Sequence, residues 1–243
     1  MTDSSSKTEE LTQRLRTQYN ELAELAGSLA HEIKNPLSVI RMNMELLAED
    51  FADAETPGER RALTKIETVQ KQCTRLENLL RDFLKFARLR DLELSPGCLN
   101  EVVDRVLAFF EPQAKQSDIE FIRFLDPALP SIKLDEQTLH AALLNLVKNS
   151  LEAMPDGGQL MARTRITRSG VALDLIDTGC GMDSQTALHM FEAFYSTKSG
   201  GSGLGLPTAR KIIEAHGGRI SVQSEVGRGT QFTVEFPQPA RLP

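Results

Sequence analysis

The stretch NLVKNSLEAM, residues 145–154, closes an amphipathic pattern that predicts one long helix over residues 136–154. Around this helix the apolar residues alternate as they do in strands, which are predicted at residues 119–125, 159–167, 171–177, 219–224 and 230–236. Two further helices are predicted at residues 99–111 and 207–216, the second ended by Gly217-Gly218. Together these elements predict an α+β sandwich, with helices on one face of a largely antiparallel sheet.

The sequence before this sandwich has a different character. Glycine is nearly absent from residues 7–90, and apolar residues keep helical spacing except at Thr56-Pro57-Gly58, which should break the helix. This pattern predicts an all-α helical hairpin. Because two helices alone leave too much apolar seam exposed, we expect a homodimer with a four-helix bundle. The predicted seam consists of Leu22, Leu25, Leu29, Ile33, Leu37, Ile40, Met44, Leu47 and Phe51 on the first arm, and Ile66, Val69, Cys73, Leu76, Leu80, Phe83 and Ala87 on the second.

These patterns predict three regions: an N-terminal lead at 1–20, the hairpin at 21–92 and the sandwich at 98–238, with a short linker around 91–97. A net charge of −6 lacks the basic stripe of a nucleic-acid binder, so we expect no direct contact with DNA or RNA. We also expect no membrane span, because no apolar run reaches the roughly 18 residues required. Three scattered cysteines favour neither a disulfide framework nor a zinc site, and a cytoplasmic location is predicted.

The segment HEIKNPL, residues 31–37, places a histidine on the first arm of the hairpin. His31 lies two residues from both Leu29 and Ile33, about 200° around the helix from each, so its imidazole should face away from the seam. Asn35 stands beside it at i+4, and Pro36 should bend the helix there. Alone, a histidine followed by a glutamate is more often a solvated surface pair, so the segment gains meaning only from the rest of the chain.

Three further segments carry side chains suited to a bound anion and metal. Asn145 and Asn149 are four residues apart on one helix face, so both amide oxygens can reach one Mg²⁺ ion or its water shell. Asp177 ends a strand and precedes Gly179 and Gly181 in DTGCGM, where a carboxylate can accept a hydrogen bond from the exocyclic amine of a flat ring. Surface amides and an ordinary Asp-Gly turn are the structural alternatives.

The third segment is a glycine loop, GSGLGL, that begins at Gly201 and leads into the predicted helix. Backbone N–H groups at a helix start suit a phosphate. The loop is neither a dinucleotide fingerprint, because no strand closely precedes it, nor a Walker loop, because no Gly-Lys-Ser/Thr follows. Just upstream, FEAFYSTK places Phe191 and Phe194 where a mobile lid could pack, although an apolar core is the alternative, and leaves Lys198 able to meet a phosphate.

With these segments in this order, residues 22–236 resemble the catalytic core of a bacterial two-component sensor histidine kinase, of the subgroup whose histidine box reads HE-[IL]-[KR]-NPL. The resemblance implies a dimerisation and phosphotransfer hairpin followed by an ATP-binding domain of the gyrase, Hsp90 and MutL type. By position, His31 resembles the phospho-acceptor, Glu32 the base beside it, and Asn35 the residue that orients water when such kinases dephosphorylate their partner.

The resemblance also assigns an ATP site. Asn149 resembles the magnesium ligand with Asn145 supporting it, Asp177 resembles the adenine-binding acid, and Thr230 in GRGTQF would lie near the adenine. The predicted cofactors are therefore ATP and Mg²⁺. The predicted nucleotide-binding residues are Asn145, Lys148, Asn149, Asp177, Gly179, Gly181, Phe191, Lys198, Gly201, Gly203, Leu204, Gly205 and Thr230.

The implied activity is autophosphorylation of His31 and transfer to an aspartate of a response regulator receiver domain, with phosphatase activity toward that regulator. A polar helical lead at residues 7–24 could continue the coiled coil or dock a separate sensor protein. A conformational ATPase is a rival, but such relatives place a water-activating glutamate where this chain has Asn145. A phosphatase-dominant or nucleotide-binding regulatory module without autokinase turnover is the alternative that the sequence leaves open.

Overall fold

The computed structural model describes residues 27, 29–30, 32–53, 55–87, 92–198 and 201–237. The chain divides between residues 89 and 90 into two compact units. The first is a helical hairpin and the second a sandwich of helices and sheet, which confirms the predicted fold class. Within the ranges just given, no helix combines the length and the apolar character needed to cross a lipid bilayer.

The hairpin consists of α1, helical at residues 27, 29–30 and 32–50, and α2, Pro57–Ala87. The predicted break is confirmed, and a reciprocal cap begins the second helix there. The Thr56 backbone N–H donates to Glu59 Oε2 at 2.9 Å, while the Glu59 N–H donates to Thr56 Oγ1 at 3.2 Å. Pro57 takes the first helical position, where the missing N–H costs no hydrogen bond. The Thr56 backbone N–H is the largest of the causes that lower the pKa of Glu59.

The predicted seam separates into two rows. Of the predicted seam residues, Leu37, Ile66 and Cys73 are buried, and so is Ala30, which the prediction did not include. Across the hairpin, Arg41 Nε lies 3.7 Å from Glu77 Oε1. The other row is exposed in the single chain and contains Leu29, Ile33, Ile40, Leu47, Val69 and Leu76. In both rows the apolar residues recur every seven positions. The sequence pattern therefore could not predict which row is buried within one hairpin and which is exposed. Leu22 and Leu25 lie outside the described residues.

The second unit is built on a five-stranded sheet. Its strands are β2 (Ile119–Phe124), β4 (Gly158–Ile166), β5 (Gly170–Asp177), β6 (Arg219–Glu225) and β7 (Gly229–Pro237), and their order is β2-β4-β5-β7-β6. The β2 strand pairs with β4 in parallel, and the other neighbours are antiparallel. A smaller antiparallel pair joins β1 (Ser95–Gly97) to β3 (Ile132–Leu134). The largely antiparallel sheet is therefore confirmed.

Helices α3 (Leu99–Gln116), α4 (Glu136–Glu152) and α6 (Gly205–Ala215) cover one face of this sheet, and α5 (Ser184–His189) is a short addition. Fully buried leucines of α4, among them Leu139 and Leu146, share the core with Leu173 of β5 and Phe232 of β7. On the opposite face, the buried Asp174 binds half-exposed arginines, which shows that this face is open to solvent.

Several boundaries differ from those predicted. The predicted linker at residues 91–97 contains β1, which is too short for its pattern to be recognised. Helix α3 continues past Pro112 to Gln116, because the buried Ala114 holds its last turn against the core. Helix α4 ends at Glu152 rather than 154. Helix α6 begins at Gly205, two residues early, and accommodates Pro207 in its first turn, where no intrahelical N–H bond is lost.

Candidate functional site

Asp177 ends β5 and is the most deeply buried acid of the predicted nucleotide-binding set, with 2% of its surface exposed. Its Oδ1 accepts backbone N–H groups from Gly179 and Thr230, both at 3.1 Å. In the described part of the chain, its Oδ2 is buried without a hydrogen-bond partner. One carboxylate oxygen is therefore held by the protein, and the other is available to a ligand with an N–H group.

The surroundings of this carboxylate disfavour its charge. Burial is the largest cause and raises the pKa of Asp177, while the nearby Ser150 hydroxyl, the Gly179 and Thr230 N–H groups and the charge of Lys198 oppose the rise. Ser150 is itself fully buried on α4, and its Oγ makes no geometrically acceptable hydrogen bond within the described residues. Two orphaned polar oxygens at one place are costly unless something binds there.

The glycines after Asp177 allow the backbone to turn tightly. Gly181 has a φ of +66°, and a Cβ atom there would lie 2.0 Å from the carbonyl oxygen of Glu225. No other residue type fits this position without moving the β6–β7 turn. Thr230, at the start of β7, is buried, and its Oγ1 lies 2.9 Å from Ser224 Oγ. The predicted residues Asp177, Gly179, Gly181 and Thr230 are therefore brought together.

The glycine loop begins at Gly201 and lies between the FEAFYSTK segment, residues 191–198, and the start of α6. Gly203 has a φ of +65°, its carbonyl accepts the Phe194 N–H at 3.0 Å, and an added Cβ would lie 2.5 Å from the Phe194 carbonyl carbon. Leu204 is fully buried and Gly205 begins the helix, where an added Cβ would lie 3.6 Å from Asn145 Oδ1. The N-terminus of α6 therefore approaches the asparagine face of α4. Gly200 lies outside the described residues.

A cation-binding cluster occupies the end of α4. Lys198 Nζ lies 3.0 Å from Asn149 Oδ1 and 2.7 Å from Glu152 Oε2. The second carboxylate oxygen of Glu152, Oε1, lies 3.7 Å from Lys148 Nζ. The Asn149 amide oxygen that was predicted to bind a metal is therefore positioned to accept a cation, and in this structure it accepts the ammonium group of Lys198.

The two phenylalanines of the lid segment differ in their surroundings. The guanidinium of Arg210, on α6, lies 5.5 Å from the centre of the Phe191 ring. Phe194 is 65% exposed and has a φ of +68°, which is rare for a bulky side chain. The apolar-core alternative therefore does not describe Phe194.

The predicted site of the hairpin is described only in part. His31 lies outside the described residues. Glu32 and Asn35 are exposed on α1, and Pro36 lies within that helix. The roles predicted for these residues stay predictions.

Two residues of the site were missed at the level of sequence. Ser150 directly follows Asn149, and a polar residue at a buried helix position could have identified it. Glu152 is three residues further along the same face as Asn149. Its partner Lys198 is 46 residues away in sequence, so no local pattern joins the two.

Comparisons with known proteins agree on the class of both units. A model described as the His Kinase A (phospho-acceptor) domain matches residues 21–92. A model described as the histidine kinase-, DNA gyrase B- and HSP90-like ATPase matches residues 134–240. The signal transduction histidine-protein kinase AtoS of Escherichia coli (strain K12) is 33% identical over 230 residues, which are 93% of this chain and 37% of AtoS.

Two solved structures are similar over most of the chain. Full-length ShkA in complex with AMPPNP has a TM-score of 0.69 and 28% identity, over 88% of this chain and 45% of ShkA. Histidine kinase ThkA in complex with the response regulator protein TrrA has a TM-score of 0.67 and 26% identity, over 98% of this chain and 68% of the ThkA chain. The chain spans between 30% and 52% of the first curated relatives that it matches. With both domain models and these relatives in agreement, the chain carries the catalytic core of the two-component sensor histidine kinase family, which consists of a phospho-acceptor domain and an ATP-binding domain.

Proposed function

We propose that this chain is an ATP-dependent protein histidine kinase that phosphorylates its own His31 and passes the phosphoryl group to an aspartate of a response regulator. The observation that carries the proposal is the half-satisfied Asp177, whose free oxygen lies next to Ser150 in a buried pocket. An exocyclic amine such as that of adenine would satisfy Oδ2, because an ionised carboxylate is an acceptor only. This acceptor fits any base with an exocyclic amine, and the match to the ATPase domain model favours adenine.

The residues at the end of α4 fit magnesium. An amide oxygen is a hard, neutral ligand, and Asn149 Oδ1 already accepts one cation, the Lys198 ammonium. Asn149 would hold the metal, with Asn145 on the same face toward α6. When bound, magnesium would neutralise charge on the phosphates. The N–H groups at the start of α6, together with Lys198 and Lys148, would bind and orient the phosphate chain.

Autophosphorylation requires a side chain that attacks the terminal phosphate of ATP, whereas ATP hydrolysis would require an activated water molecule. A neutral imidazole nitrogen of His31 would attack the terminal phosphorus in line, forming an N–P bond as the bond to ADP breaks. Glu32, its neighbour in sequence, would accept a hydrogen bond from the other ring nitrogen, fixing the tautomer and stabilising positive charge on the ring. If Glu32→Ala autophosphorylated at the wild-type rate, Glu32 would have no such role.

A homodimer is part of this proposal. The exposed row on α1 and α2, which includes Ile33, Ile40 and Leu76, forms an apolar face on the single hairpin. A second hairpin would bury this row in a four-helix bundle, since large apolar rows are rarely left in water. The residue ranges proposed for the regions are 1–20, 21–92 and 98–238.

The remaining partners are proposed from relatives and sequence. The ThkA–TrrA complex supports a response regulator as the acceptor. Asn35 would orient water when the phosphorylated regulator is dephosphorylated. Residues 7–24 would dock a separate sensor protein or extend the bundle. The cysteines Cys73, Cys98 and Cys180 are unpaired, which supports a reducing cytoplasmic location.

The test is incubation with γ-labelled ATP and magnesium. We expect label on the protein that is stable in alkali and lost in acid, because phosphohistidine has this stability, and we expect His31→Gln to abolish it. His140→Gln is the matched control and should label normally, since His140 lies near the far end of α4. Nucleotide binding without any label would instead support the phosphatase-dominant or regulatory alternative.

A further inference from the structure

Glu152 connects both lysines that are proposed to meet the phosphates. One carboxylate oxygen lies 2.7 Å from Lys198 Nζ, and the other lies 3.7 Å from Lys148 Nζ. Two cationic side chains thus converge on one carboxylate in the way that they would converge on a phosphate group. Glu152 was not among the residues predicted for the site.

The position of Glu152 in its helix is electrostatically unfavourable. It is the last residue of α4, where the helix dipole favours cations and disfavours a carboxylate. The last turn holds no basic residue to offset this charge. The acid therefore depends on the two lysines for compensation, one of them Lys148 four residues earlier on the same helix.

The same contact covers the proposed metal ligand. Lys198 Nζ lies 3.0 Å from Asn149 Oδ1, so the ammonium already binds the amide oxygen that is proposed to hold the metal. Lys198 belongs to the segment between Phe194 and Gly203, whose ends are joined by the Phe194 N–H to Gly203 carbonyl bond of 3.0 Å. The contact of Lys198 with Glu152 attaches this segment to α4.

We infer that Glu152 is a positioning residue that sets nucleotide affinity. Its carboxylate lies between Lys198 and Lys148, in the place that a nucleotide phosphate would take. This carboxylate holds Lys198 over Asn149 and keeps Lys148 close, so a magnesium nucleotide that binds both lysines must displace it. This inference rests on the proposed function. It predicts that removing the carboxylate charge strengthens nucleotide binding, whereas a residue that helped to bind the nucleotide would weaken binding when removed.

The first test compares Glu152→Gln with wild type in calorimetric titrations with Mg²⁺ and AMPPNP. We expect binding tighter by about twofold to fivefold, the range for an exposed ion pair, and a difference that shrinks as salt screens the pair. Glu136→Gln is the matched control. Glu136 pairs with Arg105 at 2.7 Å at the other end of the same helix and has similar exposure, 44% against 41% for Glu152. Unchanged or weaker binding by Glu152→Gln would overturn the inference.

The second test needs no nucleotide and separates this inference from the proposed function. Backbone hydrogen exchange at residues 195–198 and 201–204 should be faster in Glu152→Gln than in wild type, and unchanged in Glu136→Gln. Lys198→Gln should raise exchange at least as much, because it also removes the bond to Asn149, and the double variant should raise it no further than Lys198→Gln alone. If exchange were unchanged, the attachment would be absent even if the protein were a kinase. If wild type failed to bind nucleotide, the proposed function would fail while this measurement still tested the contact.

Discussion

Replacing Asp177 by asparagine should strongly weaken nucleotide binding while leaving the fold intact or more stable. The Gly179 and Thr230 N–H groups require an acceptor at the Oδ1 position, so the asparagine oxygen must take that place. Its NH₂ group then points from the Oδ2 position, where it would meet the exocyclic amine of adenine, donor against donor. The variant keeps the two structural hydrogen bonds and loses the one available to the base.

The magnitude follows from the lost interaction. A hydrogen bond to a charged group contributes about 1.5–3 kcal/mol, so the Kd for ATP should rise by about ten- to hundredfold or more. Stability should move the other way. Since burial raises the pKa of Asp177, the native state binds more protons than the unfolded state between the unfolded pKa of about 3.9 and the raised folded pKa, and stability falls as the pH rises through this window. Ionisation of Asp177 therefore lowers the free energy of unfolding at neutral pH, and asparagine removes that penalty.

Asp174→Asn is the matched control, because Asp174 is a fully buried acid three residues earlier on β5. Burial alone would raise its pKa, but hydrogen bonds from Arg165, Arg163 and Thr233 hold the pKa below the ordinary value. Its stabilising contribution is therefore present above the unfolded pKa and is lost as the pH falls through the folded one. At neutral pH, Asp174→Asn should lower the melting temperature and leave ATP affinity unchanged.

The assays are ATP titration calorimetry at pH 7 and thermal unfolding from pH 3 to 8. The stability gain of Asp177→Asn should disappear below about pH 4, where the wild-type carboxyl is protonated in both states. ATP affinity within about threefold of wild type would refute the assignment of Oδ2 to the base. A large loss of stability at neutral pH would refute the argument from burial.

Two other substitutions test the framework around the site. Gly203→Ala forces a φ of +65° on alanine and drives its Cβ into the Phe194 backbone. The ATP affinity measured by titration should fall sharply, while the melting temperature measured by thermal unfolding should change by only a few degrees. His216→Ala removes the Nε2 acceptor of the Asp135 N–H at 3.0 Å and opens a cavity beneath it, which should cost about 1–3 kcal/mol in denaturant unfolding. His189→Ala, at a more exposed histidine, should cost much less, and equal losses would contradict the role given to His216.

The sequence predicted those parts of the fold and site that depend on local pattern. The ends of β4, β5 and β7 lie within one residue of the predicted bounds. Strands β4 and β7 alternate buried and less buried positions, whereas β5 is buried along most of its length and is bounded by glycines in the sequence. The same pattern placed Asp177 at a strand end, and helical spacing placed Asn145 and Asn149 on one face.

Features that depend on tertiary contact could not be predicted in this way. The pairing of Glu152 with Lys198 joins residues far apart in sequence, and Ser150 gains its meaning only from the neighbouring β5 carboxylate. Strand β1 has three residues, fewer than a periodicity needs. Within the hairpin, the buried and exposed apolar rows share one spacing, and only the rotation of each helix separates them.

The position of β7 determines when the second unit can finish folding as the chain is synthesised. Strand β7 lies between β5 and β6 in the sheet. Its second residue, Thr230, supplies the backbone N–H that binds Asp177, which is 53 residues earlier in the chain. On a ribosome, the hairpin with His31 emerges and can fold first, since domains fold as they are released. The base pocket can close only after residue 230 has left the exit tunnel. A nascent or prematurely terminated chain would therefore carry the proposed phospho-acceptor without the proposed base pocket, and under the proposed function only a complete copy could phosphorylate it.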